Sequence, residues 1–316
     1  MSELSLWPTR TEENESKILD DEDYLRYLTL KSGKIISTDF IPGTEGRRGA
    51  NKPLLVTLQS SSSIRGVSEK VAAVAKPVHH ENTSTRGEIS YSRYEIASAW
   101  VAKALGISSY PMSCLRKLEI NGYFGEVFLQ EYVDGAILQD VEGKSLREME
   151  EMLVFDFLIW NKDRHYANAL AVNNLVVPID HGKSFAKDII NEDNFQTLKV
   201  LVANLNDEML TGNIHETMRT AIFRLANPND QLRRALDSKL SNLLPKKEAL
   251  AFWKRLDLIK NQLTETGNIR NLIEHLITRG IDREKLYYGE ISLGKDTLGT
   301  IRIFANSAIK RQLLGR

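Results

Sequence analysis

The chain has 316 residues, enough to bury a large core and to divide into two lobes or domains. Its 42 lysines and arginines balance 42 aspartates and glutamates, so the basic excess of a dedicated nucleic-acid binder is missing. Cys114 is the only cysteine, which excludes an intrachain disulfide framework and a cysteine zinc site. No apolar run approaches a membrane span, and no basic-then-apolar leader opens the chain. A cytoplasmic protein is expected; a secreted effector with a cryptic export signal would carry the same signature.

Residues 1–23 are polar and acidic, with Glu12, Glu13, Glu15 and the run Asp20 to Asp23, and read as a flexible lead-in. A short helix is expected near Tyr24 to Leu30. Gly33 to Phe40 and Pro53 to Gln59 read as strands around a loop holding Pro42, Gly43, Gly46 and Gly49. Ser60 to Gly66 follows, a run of small residues whose backbone amides and hydroxyls can approach an anion closely. Val71 to Pro77 is a strand that ends in Lys76. Tyr91 to Leu105 is predicted helical, with Tyr94, Ala97, Val101, Ala104 and Leu105 on one side and Gly106 as its stop. A strand containing Cys114 comes next. Asn121-Gly122 then marks a hairpin turn into a strand from Tyr123 to Val133, closed by Asp134-Gly135.

Met152, Phe155, Leu158 and Ile159 have helical spacing, so a helix is expected up to Trp160. After it come Asn161-Lys162-Asp163-Arg164-His165-Tyr166-Ala167-Asn168, two apolar strands around Asn173-Asn174, and Ile179-Asp180-His181-Gly182. Asp163 and Asn168 therefore lie on a loop entering a hairpin, and Asp180 lies just past its second strand. This layout can gather two carboxylates and an amide in one cleft. Phosphoryl transfer from a nucleotide uses such a set: one carboxylate takes the acceptor's proton, and an Asn with a second Asp holds magnesium.

The pattern Asp163-Arg164-His165-x-x-Asn168, followed by Ile179-Asp180-His181-Gly182, resembles the catalytic and metal-binding segments of atypical kinases, the group containing HipA-like and phosphoinositide kinases. Asp156-x-Leu158-Ile159-x-Asn161-x-Asp163-Arg164 resembles the HipA-like kinases most closely. The resemblance implies an α+β, two-lobed protein-kinase-like fold, with a small β-rich N-lobe over residues 24–134 and a mostly helical C-lobe over 135–316. It implies ATP and Mg2+ as cofactors, Asp163 as catalytic base, and Asn168 and Asp180 as metal ligands. Ser61, Ser62 and Ser63 would lie in the loop covering the nucleotide. Lys76 would neutralise phosphate charge, held by a carboxylate from the next helix. Glu95 is preferred for that role because it lies within the helical pattern, and Glu88 is the alternative. Gln130, Glu131, Tyr132 and Val133 would form the hinge whose backbone binds adenine.

The acceptor implied is a protein serine or threonine hydroxyl, with a lipid headgroup as the enzyme rival and a pseudokinase or regulatory binding module as the non-enzyme rival. A neutralising or regulatory protein partner is also suggested by the resemblance. From about residue 194 the chain reads as mostly helical, including Leu232 to Leu244, Lys246 to Leu263 and Ile269 to Arg279. Trp253, Leu256, Ile259 and Leu263 recur at helical intervals and are expected in the core. His79 and His80 are assigned to an exposed turn. His165 and His181 are assigned as scaffold residues whose rings hold the catalytic loop and the metal-binding segment. The chain has neither the histidine pair of a zincin nor a Gly-x-Ser-x-Gly elbow.

Overall fold

The structure is a computed structural model that describes residues 14–41, 53–60, 70–78, 91–137, 146–161, 164, 168–173, 175–185 and 214–267. Asp163, Ser61 to Ser63, Glu88, His79, His80, His165 and the expected helix from Ile269 lie outside the described residues.

Helix α1 spans Asp21–Ser32. Asp20 caps it by accepting the Asp23 amide at 2.8 Å, and Asp21, Glu22 and Asp23 put negative charge where the helix dipole is positive. The acidic run at 20–23 is therefore a helix start rather than a flexible lead-in. Glu15 is also part of the fold: it is fully buried and accepts from Lys239 at 2.5 Å.

Strands β1 (Lys34–Phe40), β2 (Leu54–Gln59) and β3 (Lys70–Pro77) precede helix α2 (Tyr91–Ala104), and β4 (Ser113–Ile120) and β5 (Tyr123–Glu131) follow it. They form one antiparallel sheet in the order β1-β2-β3-β5-β4. Alternation decides its faces. Val56, Leu58, Val71, Ala73, Ala75, Cys114, Leu118, Val127 and Leu129 are buried on the face covered by α1 and α2. Lys76, paired with Phe128, and Val74, paired with Gln130, belong to the opposite face. The β4–β5 turn has Asn121 at φ 50° and Gly122 at φ 77°, the left-handed pair that a two-residue hairpin needs.

Beyond β5 the chain passes residues 132–135 into β6 (Ala136–Ile137), helix α3 (Leu146–Ile159) and the hairpin β7 (Ala169–Val172) and β8 (Leu175–Pro178). These three strands form a second sheet in the order β6-β7-β8. Helices α4 (Glu216–Ala226), α5 (Gln231–Leu243) and α6 (Lys246–Thr266) complete the described large lobe. Trp253, Leu256, Ile259 and Leu263 are buried, and the Trp253 indole donates to Asp237 at 2.8 Å.

The one-sided stripe expected of α2 is too narrow, since only Tyr91, Arg93 and Tyr94 escape full burial. Its alanines and serines let neighbouring elements close in from several sides. Trp100 fills the junction, with the Tyr27 ring edge-on at 5.1 Å and the Lys239 ammonium 4.4 Å from its own ring. At the end of α2, Lys103 pairs with Asp23 at 2.7 Å. Trp100→Ala should lower unfolding free energy by about 3–5 kcal/mol in urea titrations; a loss near zero would mean that this junction does not join the lobes.

Candidate functional site

The β7–β8 ladder continues one step past Ala169 and Pro178, because the Ile179 amide donates to the Asn168 carbonyl at 3.0 Å. Asn168 and Ile179 therefore face each other, and Asp180 is the next residue out. Asp180 takes φ 60°, a left-handed conformation uncommon for a residue with a side chain, and it is exposed between half-buried Ile179 and buried His181. His181 is completely buried behind it. A Cβ added at Gly182 would stand 3.0 Å from Tyr91 Cβ, so this segment lies against the start of α2 and glycine gives it the room. Phe185, also left-handed at φ 58°, stacks on Tyr94 and donates its amide to the Ile159 carbonyl at 2.6 Å. Ser184 is buried here.

Under the hairpin lies an ion pair. Arg164 donates to Asp156 twice, Nε to Oδ2 at 2.6 Å and Nη2 to Oδ1 at 3.0 Å. Asn161 donates to the same carboxylate at 3.0 Å. The other end of the guanidinium donates to the Asn168 carbonyl and, at 3.2 Å, to the Ile179 carbonyl, while Nη2 also contacts His181 Nε2. One buried cation thus ties the loop before the hairpin to both of its open ends. Burial alone would raise the pKa of Asp156, but the Arg164 charge, the neighbouring His181 ring and the hydrogen bonds from Arg164 win and hold it at about 2. Burial, then the Arg164 charge, keeps His181 down at about 4, so the ring is neutral.

Glu95 projects from α2 toward this segment. Its Oε2 lies 3.9 Å from His181 Nδ1 and has no hydrogen-bond partner among the described residues. Burial pushes Glu95 up to about 7; the Lys76 charge opposes this and the Asp180 charge adds to it. Glu95 thus senses the charges of both Lys76 and Asp180, although Lys76 Nζ sits over the Phe128 ring, 5.7 Å from its centroid.

The fold is kinase-like. Its small lobe is an antiparallel sheet backed by a helix, its large lobe is helical, and the hairpin with Asn168 and Asp180 lies beside the sheet's helix. No family model matches the sequence, and no curated protein matches it either. Solved structures with related shapes include the Helicobacter pylori proinflammatory kinase CtkA, at 15% identity, covering 80% of this chain and 98% of that one with a TM-score of 0.35. A Leishmania major MAP kinase covers 94% of this chain and 99% of its own at 12% identity and a TM-score of 0.26. An apo pseudokinase covers 77% and 96% at 14% identity and a TM-score of 0.26. Likenesses this loose say nothing about sites or activity.

The expected hinge is narrower than four residues of free backbone. The Glu131 amide donates to the Met112 carbonyl at 2.9 Å and the Tyr132 amide to the Ala72 carbonyl at 2.8 Å, so the sheet uses both. The Glu131 carboxylate is also spent, accepting the Met112 amide at 2.6 Å. Val133 is the first residue past β5 whose amide has no described backbone partner. Gln130 is buried on the Lys76 face of the sheet, with its Nε2 unpartnered among the described residues.

Asn168 and Asp180 offer one amide oxygen and one carboxylate. Among the described residues no group of three or more His, Cys, Asp or Glu side chains could hold a metal unaided. Two oxygen ligands suit magnesium bound largely by phosphates and water, and the exposed Asp180 carboxylate can reach it. Tyr110 escaped the sequence reading. It lies in the connection between α2 and β4, 71 residues from the histidine it contacts, and nothing local marks it.

Removing Asp156 would leave Arg164 buried without its counter-charge, so Asp156→Ala should cost about 3–5 kcal/mol in chemical unfolding; a cost under about 1 kcal/mol would contradict the ion pair. Glu95 gives a separate pH signature. A carboxyl raised in the folded state stabilises most below the ordinary carboxyl range, and that contribution fades as the pH climbs through about 7. The wild type should therefore lose melting temperature relative to Glu95→Gln between acidic and mildly alkaline pH, and a constant difference would refute the raised value.

Proposed function

We propose that the chain is an ATP- and magnesium-dependent phosphotransferase of the HipA-like kind, acting on serine or threonine hydroxyls of a protein. What supports this reading is that the charges of Lys76 and Asp180 both act on the buried Glu95 carboxylate, next to the hairpin bearing Asn168. These groups come from a strand, a helix and a loop far apart in sequence, and their types suit a triphosphate held by a divalent cation.

Lys76 would bind the α- and β-phosphates, moving off the Phe128 ring toward the negative charge, with Glu95 orienting it. Asn168 and Asp180 would hold magnesium, which when bound offsets charge on the phosphate oxygens. The base would sit under the exposed face of the sheet, against Val74 and near Gln130, with the Glu131 carbonyl and the Val133 amide as its backbone partners. Ser61 to Ser63 would cover the phosphates. Asp163 stands in sequence between Asn161 and Arg164, both bonded to Asp156, and would orient the acceptor hydroxyl and take its proton.

Incubation with labelled ATP and either cell lysate or phosphoinositide vesicles tests the acceptor. Label in protein supports the reading, and label only in lipid replaces it with a lipid kinase. Asp163→Ala should cut transfer by roughly 100-fold or more while leaving nucleotide affinity near wild type. Asp180→Ala should abolish the magnesium dependence of nucleotide binding in calorimetric titrations. Unchanged turnover in the first variant, or an unchanged magnesium dependence in the second, removes that residue from its role.

A further inference from the structure

Tyr110 is buried in the connection from α2 to β4, with its ring edge-on to Phe155 at 5.4 Å. Its hydroxyl lies 2.7 Å from His181 Nδ1. The other ring nitrogen, Nε2, faces Arg164 Nη2. A guanidinium only donates, so at this contact Nε2 accepts and carries no proton, which leaves the ring N–H at Nδ1. That proton has two oxygens in view: the Tyr110 hydroxyl at 2.7 Å and Glu95 Oε2 at 3.9 Å. The nearer one takes it. Glu95 Oε2 stays buried and without a hydrogen-bond partner among the described residues.

We propose that Tyr110 is a positioning residue that engages the Nδ1 proton of His181 and so keeps the Glu95 carboxylate available for Lys76. This rests on the phosphotransferase reading of Lys76 and Glu95. The hydroxyl does two things at once. It fixes the ring of His181, the residue directly after Asp180, between the Arg164 cation and the small lobe. It also keeps a strong donor from turning onto Glu95. Without it, the Nδ1–H bond has Glu95 Oε2 as its next acceptor, and a carboxylate bound there no longer orients the lysine. The connection after α2 thereby ties the geometry of the metal-binding segment to that of the helix carrying Glu95. The proton is held between the loop at Tyr110 and the segment at His181, and the helix at Glu95 is left out of that bond.

The test uses the full chain and four proteins: wild type, Tyr110→Phe, Glu95→Gln and the double variant. Nitrogen-15 NMR of histidine-labelled wild type should show His181 protonated on Nδ1 and bare on Nε2; the reverse tautomer overturns the proposal. Calorimetric titration with magnesium and ATP should show affinity falling about tenfold in Tyr110→Phe. In the Glu95→Gln background the same change should add less than about twofold, because the carboxylate it protects is already gone. An affinity within twofold of wild type for Tyr110→Phe, or full additivity in the double variant, overturns the proposal. A purely structural tyrosine would lower the melting temperature and weaken both backgrounds equally. If the wild type itself fails to bind magnesium and ATP, the phosphotransferase reading falls, and the NMR tautomer still decides where the His181 proton resides.

Discussion

The structure depends on a guanidinium and a carboxylate that neutralise each other where no water reaches. Asp156 comes from α3 and Arg164 from the loop after it, and both are buried. Two charges in that setting are tolerable only because the pairing is bidentate and the spare donors are used. Arg164 uses its spare donors on the Asn168 carbonyl, the Ile179 carbonyl and His181. The electrostatic requirement of one buried ion thereby becomes a geometric constraint on a loop, a hairpin and the segment beyond it. Irregular backbone is normally the least defined part of a fold, and here it is pinned by a buried ion pair.

Around that anchor the chain places groups that would repel or attract one another at some cost. Asp180 is held in a left-handed conformation, and Glu95 is brought near it although both are acidic. On the proposed reading, a bound cation would offset that cost. The left-handed turn at Asp180 sends the carboxylate outward while the backbone continues inward to His181, so neighbouring residues serve opposite environments. Gly182 makes this possible by letting the chain pass close to Tyr91.

Much of this was legible in the chain because local rules and tertiary structure agree. The alternation of Val71, Ala73 and Ala75 marked a strand with one covered face, and Asn121-Gly122 marked the turn. The spacing from Asp163 to Asn168 and Asp180 leads to the expectation of a shared cleft; Asp163 lies outside the described residues, and the described part of that hairpin brings Asn168 and Ile179 together. Reading failed where two rules compete. The acids at 20–23 fit both a solvated tail and the first turn of a helix; composition favoured the tail, yet the Asp20 cap and the buried Asp23–Lys103 pair make the helix. Strand β6 is two residues long, too short for any period to register. The environment of α2 was hidden because Ala and Ser do not announce how many sides they bury. The contact between Tyr110 and His181 is a property of the folded chain alone.

The enclosure of α2 has its own implication. A helix carrying a functional carboxylate can serve as a lever when one flank faces water, since rocking it then disturbs few contacts. Here Trp100 is wedged between Tyr27 and Lys239, and Lys103 is bonded to Asp23 and the Ser108 carbonyl. Tilting the helix would unpack aromatic surface and strand a buried ammonium in the same motion. Its placement is accordingly set by the free energy of folding itself, and on the proposed reading any adjustment to a ligand falls to single side chains such as that of Lys76, which rests on the Phe128 ring face.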